Sequence, residues 1–310
     1  MPEQTHQDTV GSQVGVNARR ALRTTIAERR NSIVNCQVSL AGKERLSAAY
    51  TRVTLTGDGL SAYSDPLPGD AFKIYLPSRP GSPVPAPSYD DRVRLQWPTD
   101  LDGGDPWVRC FTVRDVDAEA SSLTFDALLH ERGATAHWLA EAAVGDRIGF
   151  TGMRTEFVDT TEARTHLFIG DRSALPAIAE IAASLPPAKR AVVMAIATEE
   201  DASALGLPAT TEAVFADDAD TLIAAVAGFT EVDELTQIWI GAEAETVRGI
   251  RRDLLKREPV SRDALHASAY WKAGLDWEQT FEESMERFLK AADAGSDVTD
   301  PGVLQSLAFD

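Results

Sequence analysis

The sequence predicts a small antiparallel β-barrel followed by an α/β domain built on a doubly wound parallel sheet. Two patterns carry this. Between residue 33 and about residue 158, short segments alternate apolar and polar residues and stop at Gly or Pro, as half-buried antiparallel strands do. After about residue 160, continuous apolar runs of strand length alternate with helical patterns, as strands covered on both faces do. A length of 310 residues with 44% apolar content is enough for a core in each domain.

In chain order, residues 1–16 read as a disordered tail. Residues 17–30, "NARRALRTTIAERR", have helical spacing and a basic face, which suits either a short docked helix or a frayed tail. "IVNCQVSLAGKERLSAAYTRVTLTG" alternates in the manner of strands, with breaks expected at Gly42 and Gly57. "DAFKIYLP" is a strand closed by Pro77, and a Pro/Ser-rich loop follows. "RVRLQW", "VRCFTV" and "LTFDALL" are further strands, "GATAHWLAEA" (133–142) is a helix, and "GDRIGFTG" returns to strand. In the second half, "THLFIGD", "RAVVMAIA", "QIWIGA" and "ALHASAYW" are strands, while "SALPAIAEIAASLP", "ADTLIAAVAGF" and "ETVRGIRRDLLKRE" are helices. Residues 277–291 place Trp277, Phe281, Met285 and Phe288 at helical spacing, a stripe that packs on the body or receives a partner. The expected division is a tail or short helix over 1–32, a barrel over 33–158, an α/β domain over 159–275 and a helical extension over 276–310.

The net charge of −18 repels phosphate backbones and anionic lipid, so nucleic acid and membrane surfaces are poor partners for this chain. Two cysteines, Cys36 and Cys110, make no disulfide framework, and no His/Cys cluster offers a metal site. Acidic pairs such as Glu199-Glu200 and Asp217-Asp218 read as solvated loops. No stretch resembles a signal peptide or approaches the roughly 18 apolar residues of a membrane span. A cytoplasmic monomer is the expectation.

One segment asks for more than a strand. "VRCFTVRDVD" (108–117) sets Arg109, Thr112 and Arg114 around Phe111. Period two puts Arg109 and Phe111 on one face and Thr112 and Arg114 on the other. Taken alone this suits an exposed strand as well as a cradle for a flat anionic cofactor. "GAT" before the helix at "AHWLAEA" supplies unpaired backbone N–H groups at the positive end of a helix, a seat for pyrophosphate. "GDRSALPA" (170–177) joins a strand end, a polar turn and a helix start, the place where open α/β sheets bind ligands, without a G-x-G-x-x-G fingerprint.

Together these segments resemble the siderophore-interacting proteins, the flavin-dependent ferric-siderophore reductases of the ferredoxin–NADP reductase superfamily. That family carries R-x-Y-[ST]-x-R, H-x-x-x-G-x-A-x-x-W, G-P-R-G, G-D-E-T-A-L-P-A-I and G-Y-W-R-x-G. The counterparts here run from Arg109 to Arg114, from His130 to Trp138, and through "GMRT" (152–155), "GDRSALPAI" (170–178) and "AYWKAG" (269–274). Phe111 stands for the tyrosine, one residue is missing between His130 and Gly133, Thr135 replaces an alanine, Ser173 a threonine and Ala269 a glycine, and "GMRT" lacks the proline and second glycine.

The resemblance implies a six-stranded antiparallel FAD-binding barrel followed by a ferredoxin-reductase-like α/β nucleotide-binding domain. It implies FAD against Phe111, with Thr112 donating toward the ring edge, Arg109 or Arg114 on phosphate, and His130, Gly133, Ala134, Thr135 and Trp138 around the remainder. It makes Asp171, Ser173 and Ala174, with Tyr270 and Trp271, the shelf shared by flavin and nicotinamide, and "WIGAEAE" (239–245) the nicotinamide edge. Lys73, Arg154 and Lys272 become the cations that receive an anionic ferric siderophore. The implied reaction takes electrons from NADH, NADPH or ferredoxin through FAD to Fe(III), with no side chain as acid, base or nucleophile. A general flavin reductase with another acceptor, and a non-catalytic flavin- or partner-binding protein, are the competing readings.

Overall fold

The computed structural model describes residues 4–29, 32–63, 65–89, 95–98, 101, 104–129, 133–274, 286–298 and 303. The chain divides into two units, residues 28–156 and residues 1–27 with 157–310.

The first unit is an antiparallel sheet of β1 (Val34–Arg45), β2 (Tyr50–Thr56), β3 (Ala71–Leu76), β6 (Trp107–Thr112), β7 (Asp115–Asp117), β8 (Ser122–Leu128) and β9 (Arg147–Arg154). Two short strands, β4 (Ser88–Tyr89) and β5 (Leu95–Gln96), pair separately. The order β6-β3-β9-β1-β2-β8-β7 has β6 at one end and β7 at the other. These are one stretch of chain, interrupted only at Val113 and Arg114, that pairs with β3 along its first part and with β8 along its second. That bent stretch curls the sheet into the predicted barrel, six-stranded when β6 and β7 are counted together.

Gly42 does not break the first strand as expected. β1 runs through it, and the register against β2 shifts between Leu40 and Gly42. A bulge takes up the extra residue and sharpens the local twist. Alternate residues then fill the interior, with Phe72 stacked on Phe150 (centroids 5.1 Å apart) and edge-on to Phe125 (5.4 Å). The helix α2 (Ala134–Glu141) adds Trp138 and Leu139 to this core. Lys43 Nζ donates to the carbonyls of Leu139 (2.6 Å) and Ala142 (2.9 Å), which satisfies the C-terminal end of α2 and pins it to β1.

The second unit holds five parallel strands in the order β12-β11-β10-β13-β14, namely β10 (Thr165–Gly170), β11 (Arg190–Ile196), β12 (Glu212–Ala216), β13 (Thr236–Glu243) and β14 (Leu265–Trp271). The helices α3 (Leu175–Ser184), α4 (Glu199–Ala204), α5 (Ala219–Gly228) and α6 (Ala244–Leu254) connect them. Chain order reverses between β10 and β13, so the switch point lies at Gly170 and Gly241. A Cβ on Gly241 would meet the Trp239 ring at 2.7 Å and Ala174 at 3.1 Å, so α3 starts close over the strand ends only because glycine stands there.

The segment read as a tail is helical. α1 (Gln4–Arg29) buries Val14, Ala18 and Leu22, and Arg19 pairs with Asp263 at 2.8 Å. Burial that the local pattern does not show accompanies the helix at Val14 and Gly15. Glu199 and Glu200, read as loop, form the first turn of α4, where Thr198 and Asp201 make a capping box. Asp218 caps α5 through Thr221 N. The strand β12 was not anticipated. Of the C-terminal stripe, Trp277, Phe281 and Met285 lie outside the described residues, and a helix is described over 286–293. No described helix is long and apolar enough to cross a membrane, and no group of metal-ligating side chains occurs among the described residues.

Candidate functional site

In the barrel unit, the alternation of β6 puts Trp107, Arg109 and Phe111 on one face. Phe111 is half-buried against Phe125 (4.5 Å between centroids) and Phe72 (6.2 Å). Trp107 meets His137 of α2 edge-on at 6.1 Å, which brings the helix to the same face as Arg109 and Phe111. Thr112, on the opposite face, is buried at the strand end opposite Ala71. Arg114 sits in the bend, its N–H bonded to the Thr124 carbonyl at 2.8 Å.

α2 begins at Gly133 without a side-chain cap, so its first-turn N–H groups have no side-chain acceptor there. Ala134 is half-buried and Thr135 buried in that turn. The indole N–H of Trp138 is buried with no hydrogen-bond partner among the described residues. Buried donors are almost always paired, so an orphan on a helix with an uncapped N-terminus marks a place that an acceptor-rich group completes. His130 lies outside the described residues.

Lys73 and Arg154 occupy neighbouring strands, Lys73 opposite Thr151 and Arg154 opposite Ala71, two residues before Lys73. Burial pulls the Lys73 ammonium below the usual lysine range and the charge of Arg154 pulls the same way, while Cys110 opposes them. Arg154 also pairs with Glu156.

In the α/β unit, Asp171 follows β10 and is buried. One carboxylate oxygen accepts Ser173 N at 2.8 Å and the Ser173 hydroxyl. The other accepts Glu243 N at 2.9 Å and the Trp271 indole N–H at 2.8 Å. Asp171 thus builds the shelf: it ties the ends of β10, β13 and β14 and turns the chain into α3. Glu243, within the predicted edge 239–245, does the same work nearby. Its carboxylate caps α6 through Glu245 N (2.7 Å) and Thr246 N (3.1 Å) and accepts Ala273 N at 3.1 Å. The segment holding Trp271 and Lys272 is therefore fastened at two points. Trp271 is 44% exposed, Tyr270 packs edge-on to Trp239 at 6.0 Å, Ala174 is buried over the switch-point glycines, and Lys272 is half-buried.

The donors of the barrel unit suit an anionic dinucleotide with a flat ring: guanidinium, uncapped helix N–H groups, an aromatic face and an unpaired indole N–H.

Residues 39–157 match the siderophore-interacting FAD-binding domain, and residues 163–274 match the siderophore-interacting protein family. The ferric vibriobactin reductase ViuB of Vibrio cholerae is 26% identical over 250 residues, spanning 78% of this chain and 90% of that protein. The NADPH-dependent ferric-chelate reductase of Escherichia coli is 24% identical over 249 residues, spanning 79% and 95%. A siderophore utilization protein from T. fusca superposes with a TM-score of 0.67 at 25% identity, over 79% of this chain and 95% of that one.

Proposed function

Because the chain belongs to the siderophore-interacting protein family, we propose that it is an FAD-dependent oxidoreductase that reduces ferric siderophores with NADPH. The observation that carries this reading is the shared barrel face. On it, Arg109 and Phe111 of β6 lie with α2, whose N-terminus is uncapped and whose Trp138 indole is unpaired.

FAD, when bound, supplies the link between a two-electron hydride donor and a one-electron metal acceptor. The rest falls to the protein. Arg109 or Arg114, with the first-turn N–H groups at Ala134 and Thr135, would hold the pyrophosphate, and Gly133 would let the backbone approach it. Phe111 offers its ring face, and Thr112 and Trp138 offer hydrogen-bond donors. Asp171 and Glu243 keep Ser173, Ala174, Tyr270 and Trp271 in place as the nicotinamide shelf. Lys73, Arg154 and Lys272 attract the anionic ferric complex in a chain whose overall charge repels it. One NADPH reduces two Fe(III) to Fe(II) and releases NADP+ and a proton. Hard oxygen donors hold Fe(II) less well, so iron leaves the siderophore after reduction.

This reading places the chain in the cytoplasm, where reduced nicotinamide is supplied. It takes the chain to act as a monomer. Steady-state rates with NADPH, NADH or reduced ferredoxin as donor, against ferric siderophores and against non-iron acceptors, test it. Turnover that requires the ferric complex supports the reading. Turnover with non-iron acceptors and none with ferric siderophores identifies a general flavin reductase instead.

The lowered Lys73 ammonium gives a pH signature. Lys73 is cationic below its depressed pKa and neutral above it, so affinity for an anionic complex is present at lower pH and lost as pH rises through that value. The KM for the ferric siderophore is expected to rise at a pH below the ordinary lysine range. Lys73→Arg stays charged and removes that rise. An unchanged profile in Lys73→Arg takes Lys73 out of the substrate site.

A further inference from the structure

Asp70 is fully buried and immediately precedes β3. Its carboxylate accepts Arg29 Nη1 at 2.8 and 2.9 Å, Leu67 N at 2.9 Å and the Tyr63 hydroxyl. Arg29, the last residue of α1, also donates to Thr155 Oγ1 at 2.8 Å and to the Asp65 carbonyl at 2.7 Å. Burial and the Asp70 charge push the Tyr63 hydroxyl up, so it remains a donor. One guanidinium therefore joins the residue before β3, the loop at Asp65 and the residue after β9.

The position of this knot matters. The Asp70 carbonyl accepts Val113 N at 2.8 Å, at the bend between Thr112 and Arg114. The next residue, Ala71, lies opposite Thr112 of β6 and Arg154 of β9. Three strand ends meet there, and they carry a proposed flavin contact and a proposed siderophore contact. Arg29 comes from outside the stretches that match the family, which begin at residue 39.

We infer that Arg29 is a positioning residue: through Asp70 and Thr155 it fixes the ends of β3, β6 and β9, and so sets Thr112 and Arg154 for the flavin and the siderophore. Replacing a buried ion pair by apolar groups is often neutral for stability, so what the pair supplies here is sought in the geometry it fixes. Lysine in its place keeps the charge but lacks the second nitrogen, Nη2, that ties the Asp65 carbonyl to the same group as Asp70 and Thr155. This inference rests on the flavin reading above.

The test uses the full chain with Arg29→Lys. Loss of the two-nitrogen geometry that joins Asp65, Asp70 and Thr155 is expected to raise the FAD dissociation constant about tenfold. It is also expected to move the visible absorbance bands and midpoint potential of the flavin that still binds, and to leave the far-ultraviolet circular dichroism unchanged. A purely structural arginine would lower thermal stability and leave the spectrum and potential of bound flavin where they are. Wild-type spectrum, potential and FAD affinity in Arg29→Lys overturn the inference. If Arg29→Lys does not fold, Thr155→Val, which removes one acceptor of the fork, decides: weaker FAD binding supports the inference, and unchanged binding overturns it. A wild-type chain that takes up no FAD overturns the flavin reading itself, which is a separate outcome from wild-type-like binding in the variants.

Discussion

Asp171→Ala is expected to destabilise the α/β unit by about 3–5 kcal/mol and to abolish measurable NADPH binding. The substitution strands the Trp271 indole N–H, Glu243 N and Ser173 N, which the carboxylate serves at 2.8, 2.9 and 2.8 Å. Each buried donor left unpaired costs about 1–3 kcal/mol, partly offset where water reaches it. The three donors lie at the ends of β10, β13 and β14, so the loss disperses the shelf as well as weakening the fold. Asp171→Asn separates the two effects. The amide keeps one acceptor oxygen and presents an NH2 to donors on the other side, so either the Ser173 turn or the Glu243–Trp271 pair is lost. Its thermal midpoint is expected to fall less than that of Asp171→Ala, while NADPH affinity falls nearly as far. The readouts are calorimetric unfolding and nicotinamide binding followed by Trp271 fluorescence, which suits a half-exposed indole hydrogen-bonded to the substituted carboxylate. NADPH affinity unchanged in both variants would show that the shelf does not receive the nicotinamide.

Arg109→Ala is expected to cost about 10- to 150-fold in FAD affinity, the equivalent of one charged hydrogen-bonding group of about 1.5–3 kcal/mol. Arg109 lies on the face of β6 shared with Trp107 and Phe111, and Trp107 brings α2 to that face. Arg109→Lys retains the charge without the planar fork and is expected to fall between wild type and Arg109→Ala. Cys110→Ala, one residue away with an exposed thiol on the opposite face, is the control and is expected to bind FAD as wild type does. The measurement is flavin fluorescence during titration of the apo-chain. Equal affinity in all four chains would return "VRCFTV" to the status of a plain barrel strand.

Both predictions rest on features that differ in how far the sequence shows them. The barrel and the parallel sheet were legible because each depends on short-range pattern: period two in "AFKIYL" and "VRCFTV", continuous apolar runs in "THLFIG" and "QIWIGA". The face shared by Arg109 and Phe111 followed from the same period. Gly42 was misread because a glycine in an alternating run signals a bulge as readily as a turn, and only the partner strand decides. α4 was missed because its acidic first turn reads as loop, although Thr198 and Asp201 hold the spacing of a capping box, and β12 because its short apolar run is largely exposed at the sheet edge. The helix at residues 14–16 accompanies burial of Val14 and the close approach of Gly15 to Ser261, which no local pattern encodes.

Asp171 was legible as a member of the candidate site and illegible in its structural role. A strand-end aspartate suggests a ligand contact, whereas the coordinates commit both of its oxygens to protein donors 2 to 100 residues away in the chain. Arg29 left no trace in the sequence: its acceptors lie 41 and 126 residues away, and a basic residue ending a helix has an ordinary explanation in the helix dipole.

The most direct test of the whole account is the visible absorbance of the purified full-length chain after saturation with FAD and removal of the excess, followed by anaerobic addition of NADPH and then of a ferric siderophore. The account predicts one flavin retained per chain, an absorbance that bleaches with NADPH, and its return as two equivalents of Fe(III) become Fe(II). A chain that emerges colourless, with FAD recovered entirely in the flow-through, would contradict it.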